Sequence, residues 1–174
     1  MTRFLQSLFT RSFSSGERAA FHPLLVEFRI SQHHRRGLRQ VRRMSWTRPE
    51  RINLGSGTMR KAGYLNIDVF PGGDLTLDLR RPLPFESDCC EQIFSEHCLE
   101  HFDYPDTVAG LLRECLRVLR SGGQLRLSVP DTEWPLTDYP KGATAEYFRA
   151  CAENRWWHPG DYTTRLEHIN YHFR

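Results

Sequence analysis

The chain reads as an α/β domain with a doubly wound, mostly parallel sheet of about five strands. Three observations predict this. Five short apolar runs succeed one another between Arg51 and Val129, and the last two are separated by an amphipathic helical stretch. At or beside the end of every run stands a glycine or a polar residue. In parallel sheets that carboxyl end is where ligands bind.

The runs are Arg51–Leu54, Tyr64–Val69, Leu75–Leu79, Gln92–Ser95 and Gln124–Val129. Between the fourth and fifth, Val108, Leu111, Leu112, Cys115, Leu116 and Leu119 recur at three- and four-residue steps, the period of one helix face. Asp103 or Asp106 is expected to cap this helix and Gly122-Gly123 to end it. Arg117 and Arg120 suit its negative end.

Charge divides the chain in two. Residues 1–50 hold ten arginines against Glu17, Glu27 and Glu50, a net +7. Residues 51–174 carry −4, so the overall +3 hides a basic arm on an acidic domain. The expected division is a basic arm at 1–48 and a domain at 49–174. The arm is expected to be solvated and partly helical. Its Arg-rich, Ser-containing start also has the composition of a mitochondrial presequence, the alternative to a cytoplasmic location. Arg35, Arg36, Arg39, Arg42 and Arg43 are of the kind that meets nucleic acid or an anionic membrane surface. Few aromatics interleave with them, which weakens a single-stranded RNA reading.

No apolar run approaches the roughly 20 residues of a membrane span. The five cysteines form no C-x-x-C pair and read as reduced thiols.

The candidate site residues follow the run ends. Gly55-Ser56-Gly57 makes a turn at which a ligand can approach the backbone. A dinucleotide fingerprint wants a third glycine where Arg60 stands, so nicotinamide and flavin are disfavoured. Asp68 ends the second run, where a carboxylate accepts from a ribose diol, and Asp78 ends the third, placed for an adenine amino group. Ser95, Glu96 and His97 end the fourth. His97-Cys98-Leu99-Glu100-His101 also spells H-x-x-E-H, an inverted zinc-hydrolase pattern, but Pro105 leaves its helix short.

Taken in order, Asn53-Leu54-Gly55-Ser56-Gly57, Leu65-Asn66-Ile67-Asp68, Asp78-Leu79 with Pro82-Leu83-Pro84-Phe85, Ser95-Glu96-His97 with Leu99-Glu100-His101, Glu114 with Arg117-Val118-Leu119 and Gly122-Gly123, and Leu127-Ser128-Val129-Pro130-Asp131 resemble one family. The chain resembles the class I methyltransferases of the type 11 kind, over about residues 51–131, in a form with a shortened first helix. The resemblance implies a Rossmann-like fold and S-adenosyl-L-methionine as cofactor. It implies cofactor contacts from Asn53, Gly55, Ser56, Gly57, Asp68, Asp78, Ser95 and Glu96. Asn53 stands where the family usually has an acid. The family continues after strand five into a helix and an antiparallel strand pair. Too few residues remain here, so the chain is expected to be C-terminally truncated, with strand five an exposed edge.

The expected function is methyl transfer to an unidentified acceptor, a small molecule or a glycan. His97 is the first candidate base and Asp131 the second. An inactive cofactor-binding module and the zinc hydrolase are the alternatives. Residues 131–174 are rich in aromatics and read as a lid or substrate region, with Trp156-Trp157-His158 at its tip.

Overall fold

The computed structural model describes residues 14–153 and 164–166. They fall in two compact units, divided between Ser128 and Val129.

The first unit opens with a 30-residue helix, α1 (Ser15–Met44). Five strands follow: β1 (Arg51–Leu54), β2 (Leu65–Asp68), β3 (Leu75–Thr76), β4 (Cys90–Glu96) and β5 (Leu119–Ser128). One 3-10 turn (Leu99–His101) and helix α2 (Asp106–Val118) separate the last two. All pairings are parallel, in the order β3-β2-β1-β4-β5. The expected α/β architecture is therefore present, and among the described residues the sheet ends at β5 without an antiparallel pair.

Alternation along the strands gives the sheet two unlike faces. Ile52, Leu54, Ile67 and Ile93 fall on one and join Val41 of α1 and Leu111, Cys115 and Val118 of α2 in a single core. In register on the other face stand Asn66, Asn53, Phe94 and Arg126. Parallel strands are ordinarily apolar on both sides. Here no helix follows β1, and a polar loop takes its place. Asn66 is 3% exposed. Its carbonyl accepts from Asn53 Nδ2 (2.9 Å) and Lys61 N (2.7 Å), and its amide donates to the Lys61 and Tyr64 carbonyls and to Asp74. Asp74 in turn pairs with Arg60.

Three local expectations need correction. β3 is shorter than Leu75–Leu79, because Leu77 N–H reaches the Asp68 carbonyl and the chain then turns around Asp78. Neither Asp103 nor Asp106 caps α2 through its side chain, since Pro105 holds the cap position. Gly122-Gly123 does not end α2. The helix stops at Val118, where the Asp88 and Cys89 N–H groups take the Arg117 and Val118 carbonyls. The glycines instead fall in the irregular stretch between the Cys90↔Leu119 and Gln92↔Gln124 pairs, with Gly122 at φ 77°. The stripe also differs: Leu116 is 74% exposed and Val118 is buried.

All five cysteines are free thiols. Burial pushes Cys90 and Cys98 up to about 11 and Cys115 up to about 12, so these three are inert at neutral pH.

Helix α1 is built into the core along its C-terminal half. Ile30, His34 and Val41 are buried. Gly37 lets it approach β3, for a Cβ there would stand 2.0 Å from the Thr76 carbonyl oxygen. His33 faces the Val69 carbonyl and Gln40 donates to the Asp74 carbonyl, so α1 runs antiparallel to the strands. Arg80 bridges Glu27 of α1 to Asp78. His34 Nδ1 accepts the Asp78 N–H at 3.2 Å, which requires a neutral ring.

In the second unit, α3 (Glu133–Asp138), a 3-10 turn (Tyr139–Lys141) and α4 (Glu146–Glu153) surround a small cluster of Tyr147, Phe148 and Cys151. Trp134 and Phe148 each meet the Tyr147 ring edge-on. These aromatics therefore pack with one another. The expected lid tip, Trp156-Trp157-His158, lies outside the described residues.

Two predictions follow from α1. Gly37→Ala should lower the unfolding free energy by about 1–3 kcal/mol, the range for overpacking, in a urea titration. Burial, followed by the Arg81 charge, holds His34 below its ordinary value of 6.5. A group bound less tightly to its proton when folded adds stability above its unfolded value, and that stability is lost as pH falls. Wild type should therefore lose stability below about pH 6.5 relative to His34→Gln, which does not titrate.

Candidate functional site

β1 is the centre of the sheet, with β2 on one side and β4 on the other. Chain connections leave it in opposite directions, and in open parallel sheets the carboxyl ends beside such a switch point are where ligands bind. The Gly55-Ser56-Gly57 turn, Asp68 and the Ser95–His97 segment all sit on this edge because each directly ends, or follows, one of the three strands.

The turn is held from the β2 side. Ser56 N–H donates to the Ile67 carbonyl at 3.0 Å and Gly57 N–H to Asp68 Oδ2 at 2.8 Å. Asp68 Oδ1 accepts Phe70 N–H at 2.9 Å. A carboxylate has about four lone-pair positions, so capacity remains for a diol. The two glycines differ in role. Gly55 has φ 67°, and a Cβ on it would stand 2.4 Å from Cys98 Sγ; it is a packing glycine. Gly57 has φ 52° and nothing within 4 Å of such a Cβ; it faces open space. The Ser56 and Ser95 hydroxyls are buried without a hydrogen-bond partner. Ser95 lies beside Leu54, at the end of β4 next to the turn.

His97 follows directly, with φ 51°, a region few non-glycine residues occupy. Its N–H is tied to the Ser128 carbonyl. Its Nδ1 lies 3.4 Å from Glu100 Oε1, and its side chain is 57% exposed. Glu96 is exposed beside it. The 3-10 turn begins only at Leu99, so His97 and His101 do not share a helix face as a zinc-hydrolase motif requires. Among the described residues, no group of three or more His, Cys, Asp or Glu side chains is arranged to hold a metal ion.

Three expected residues are engaged elsewhere. Asn53 is buried and donates to Asn66. Asp78 is 5% exposed, and its carboxylate is bound by Arg80 and Arg81. Burial pushes its pKa up, but these arginines more than offset that and hold it below the ordinary carboxylate value. Asp131 belongs to the second unit, where its Oδ1 accepts the Glu133 and Trp134 N–H groups at the start of α3. Sequence reasoning missed Asn66, Asp74 and Glu100 in their observed roles. Glu100 was readable from its i, i+3 spacing to His97.

Two surface cavities lie away from this edge. One, of about 330 Å³, is at the amino ends of β1 and β2 around Trp46, Arg51 and Leu65. The other, of about 410 Å³, lies between Arg80–Pro82 and α2.

A parallel sheet of order β3-β2-β1-β4-β5 with a glycine turn after its central strand and an acid at the end of the next defines an α/β protein of the Rossmann-like class. Residues 54–127 match the model of the family described as a methyltransferase domain. This part of the chain is a class I methyltransferase domain, whose cofactor is S-adenosyl-L-methionine. Neither the curated proteins nor the solved structures contain a match. The edge fits the cofactor: Gly57 presents an open side there, and the Asp68 carboxylate beside it keeps acceptor capacity.

The two glycines should separate in experiment. Gly55→Ala should lower thermal stability by displacing Cys98. Gly57→Val should lose cofactor affinity in calorimetry and also lower stability, because a branched side chain is strained at φ 52°. Asp68→Ala should weaken S-adenosylmethionine binding by about 1.5–3 kcal/mol, the cost of a charge-assisted hydrogen bond. Unchanged affinity in both Gly57→Val and Asp68→Ala would move the cofactor off this turn.

Proposed function

We propose that the domain methylates a hydroxyl on a small molecule or glycan, with His97 as general base and Glu100 as the residue that orients it. The observation carrying this reading is the His97 Nδ1–Glu100 Oε1 approach of 3.4 Å beside the end of β4. In this proposal Gly57 and Asp68 hold the ribose side of the cofactor, and Ser95 and Glu96 line the region of the methyl group. Asp78 bounds the adenine side through its own arginine pairs. The second candidate base, Asp131, has the weaker case because its carboxylate caps α3.

When bound, the cofactor supplies a methyl carbon on a positively charged sulfur, and the protein supplies alignment. With Glu100 Oε1 3.4 Å from Nδ1, Nε2 is the nitrogen left for the proton of the acceptor. Nε2 would take the proton of the acceptor hydroxyl, whose oxygen would receive the methyl group that the cofactor would supply, the sulfur keeping the electron pair. The left-handed backbone at His97, tied to Ser128, supports a fixed position for the ring.

Transfer of a radiolabelled methyl group to hydroxyl-bearing acceptors tests this. His97→Ala should lower kcat by about 10²–10⁴-fold, the usual contribution of a general base, with cofactor affinity retained. Glu100→Gln should lower kcat less than His97→Ala does, with cofactor affinity retained. Wild-type turnover in His97→Ala would remove the base from this scheme.

A further inference from the structure

The outward face of α1 carries two unlike patches end to end. Its buried face is Ile30, His34, Gly37 and Val41, at steps of four, three and four. Opposite, at the same spacing, stand Leu24, Leu25 and Phe28, exposed by 64%, 38% and 61%. Seven residues on, roughly 10 Å along the axis, the same face carries Arg35, Arg36, Arg39, Arg42 and Arg43, all exposed. None of these five makes an ion pair among the described residues, whereas Glu27 is already taken by Arg80. The patches share one side of one helix, which the core holds from behind along its C-terminal half.

We propose that this face docks on an anionic lipid surface, with Leu24, Leu25 and Phe28 at the acyl boundary and the five arginines among the phosphate headgroups. Charge decides between partners. A nucleic acid complements the arginines but leaves the apolar patch in water, while an anionic bilayer accommodates both at once. No helix of the described residues is long and apolar enough to cross a membrane, so the contact is peripheral. Because α1 runs antiparallel to the strands, with His33 beside Val69, its apolar end stands on the side of the strands' carboxyl ends. Docking therefore brings the rim of the cofactor cleft near the headgroups.

Flotation of the full chain with vesicles tests the proposal. The protein should bind phosphatidylcholine–phosphatidylserine vesicles and not phosphatidylcholine alone, and added salt should weaken binding. Each arginine replaced by alanine should lower partitioning about fivefold, the equivalent of about 1 kcal/mol per basic residue at the surface. Leu24→Gln with Phe28→Gln should also reduce vesicle binding, while circular dichroism is unchanged, because both side chains already face water. Absence of binding to the anionic vesicles overturns the proposal. So does vesicle binding indifferent to Leu24 and Phe28 together with tight, arginine-dependent binding of a single-stranded RNA, which would assign the face to nucleic acid.

Discussion

The Asn66 side chain ties together the three segments around the glycine turn. It receives Asn53 of β1, closes the 58–64 loop through Lys61 and Tyr64, and meets Asp74 ahead of β3. A parallel crossover is usually covered by a helix that satisfies its own backbone. Where that helix is missing, buried polar groups must find other partners or carry a desolvation penalty of about 1–3 kcal/mol each. Asn66 supplies the partners from one position. With β1 and β2 so joined, Gly57 and Asp68 come within 2.8 Å, and the glycine turn takes its shape.

The strands were legible because their apolar runs are separated by turn residues, and β1 was readable to the residue. The end of α2 was not. Gly122-Gly123 looks like a helix stop by local chemistry, yet pairing of Leu119 with Cys90 draws the chain into the sheet earlier. That is a tertiary constraint no local window contains. Asn53 illustrates a different limit. Its position before the glycine turn is visible in the sequence, but which way its amide faces depends on register with Asn66 across the sheet. Asp78 likewise reads as a strand-end acid, and only the fold reveals that Arg80 links it to Glu27, far away in sequence.

The basic segment shows how composition and packing carry separate information. Its arginines announce a charged surface, and one face of the same helix nevertheless enters the core. The signal for that was small: Ile30, Gly37 and Val41 at helical spacing, diluted by charge on every other side. Gly37 matters because it allows backbone-to-backbone approach, and a glycine within an arginine run attracts little notice as a packing residue.

The link between β1 and β2 is residues 55–64, far shorter than the connection from β1 to β4 or from β4 to β5 through α2. Ordering a chain segment into a closed loop costs entropy that grows with the logarithm of its length. The β1–β2 pair is therefore among the least costly of the sheet's parallel contacts to form, and it is also the pair that shapes the ligand's seat. An assembly route that begins with the cheapest closures has the glycine turn and Asp68 in place before the distant strands arrive. The same short stretch of chain is thus both a starting point for the architecture and the floor of its working cleft.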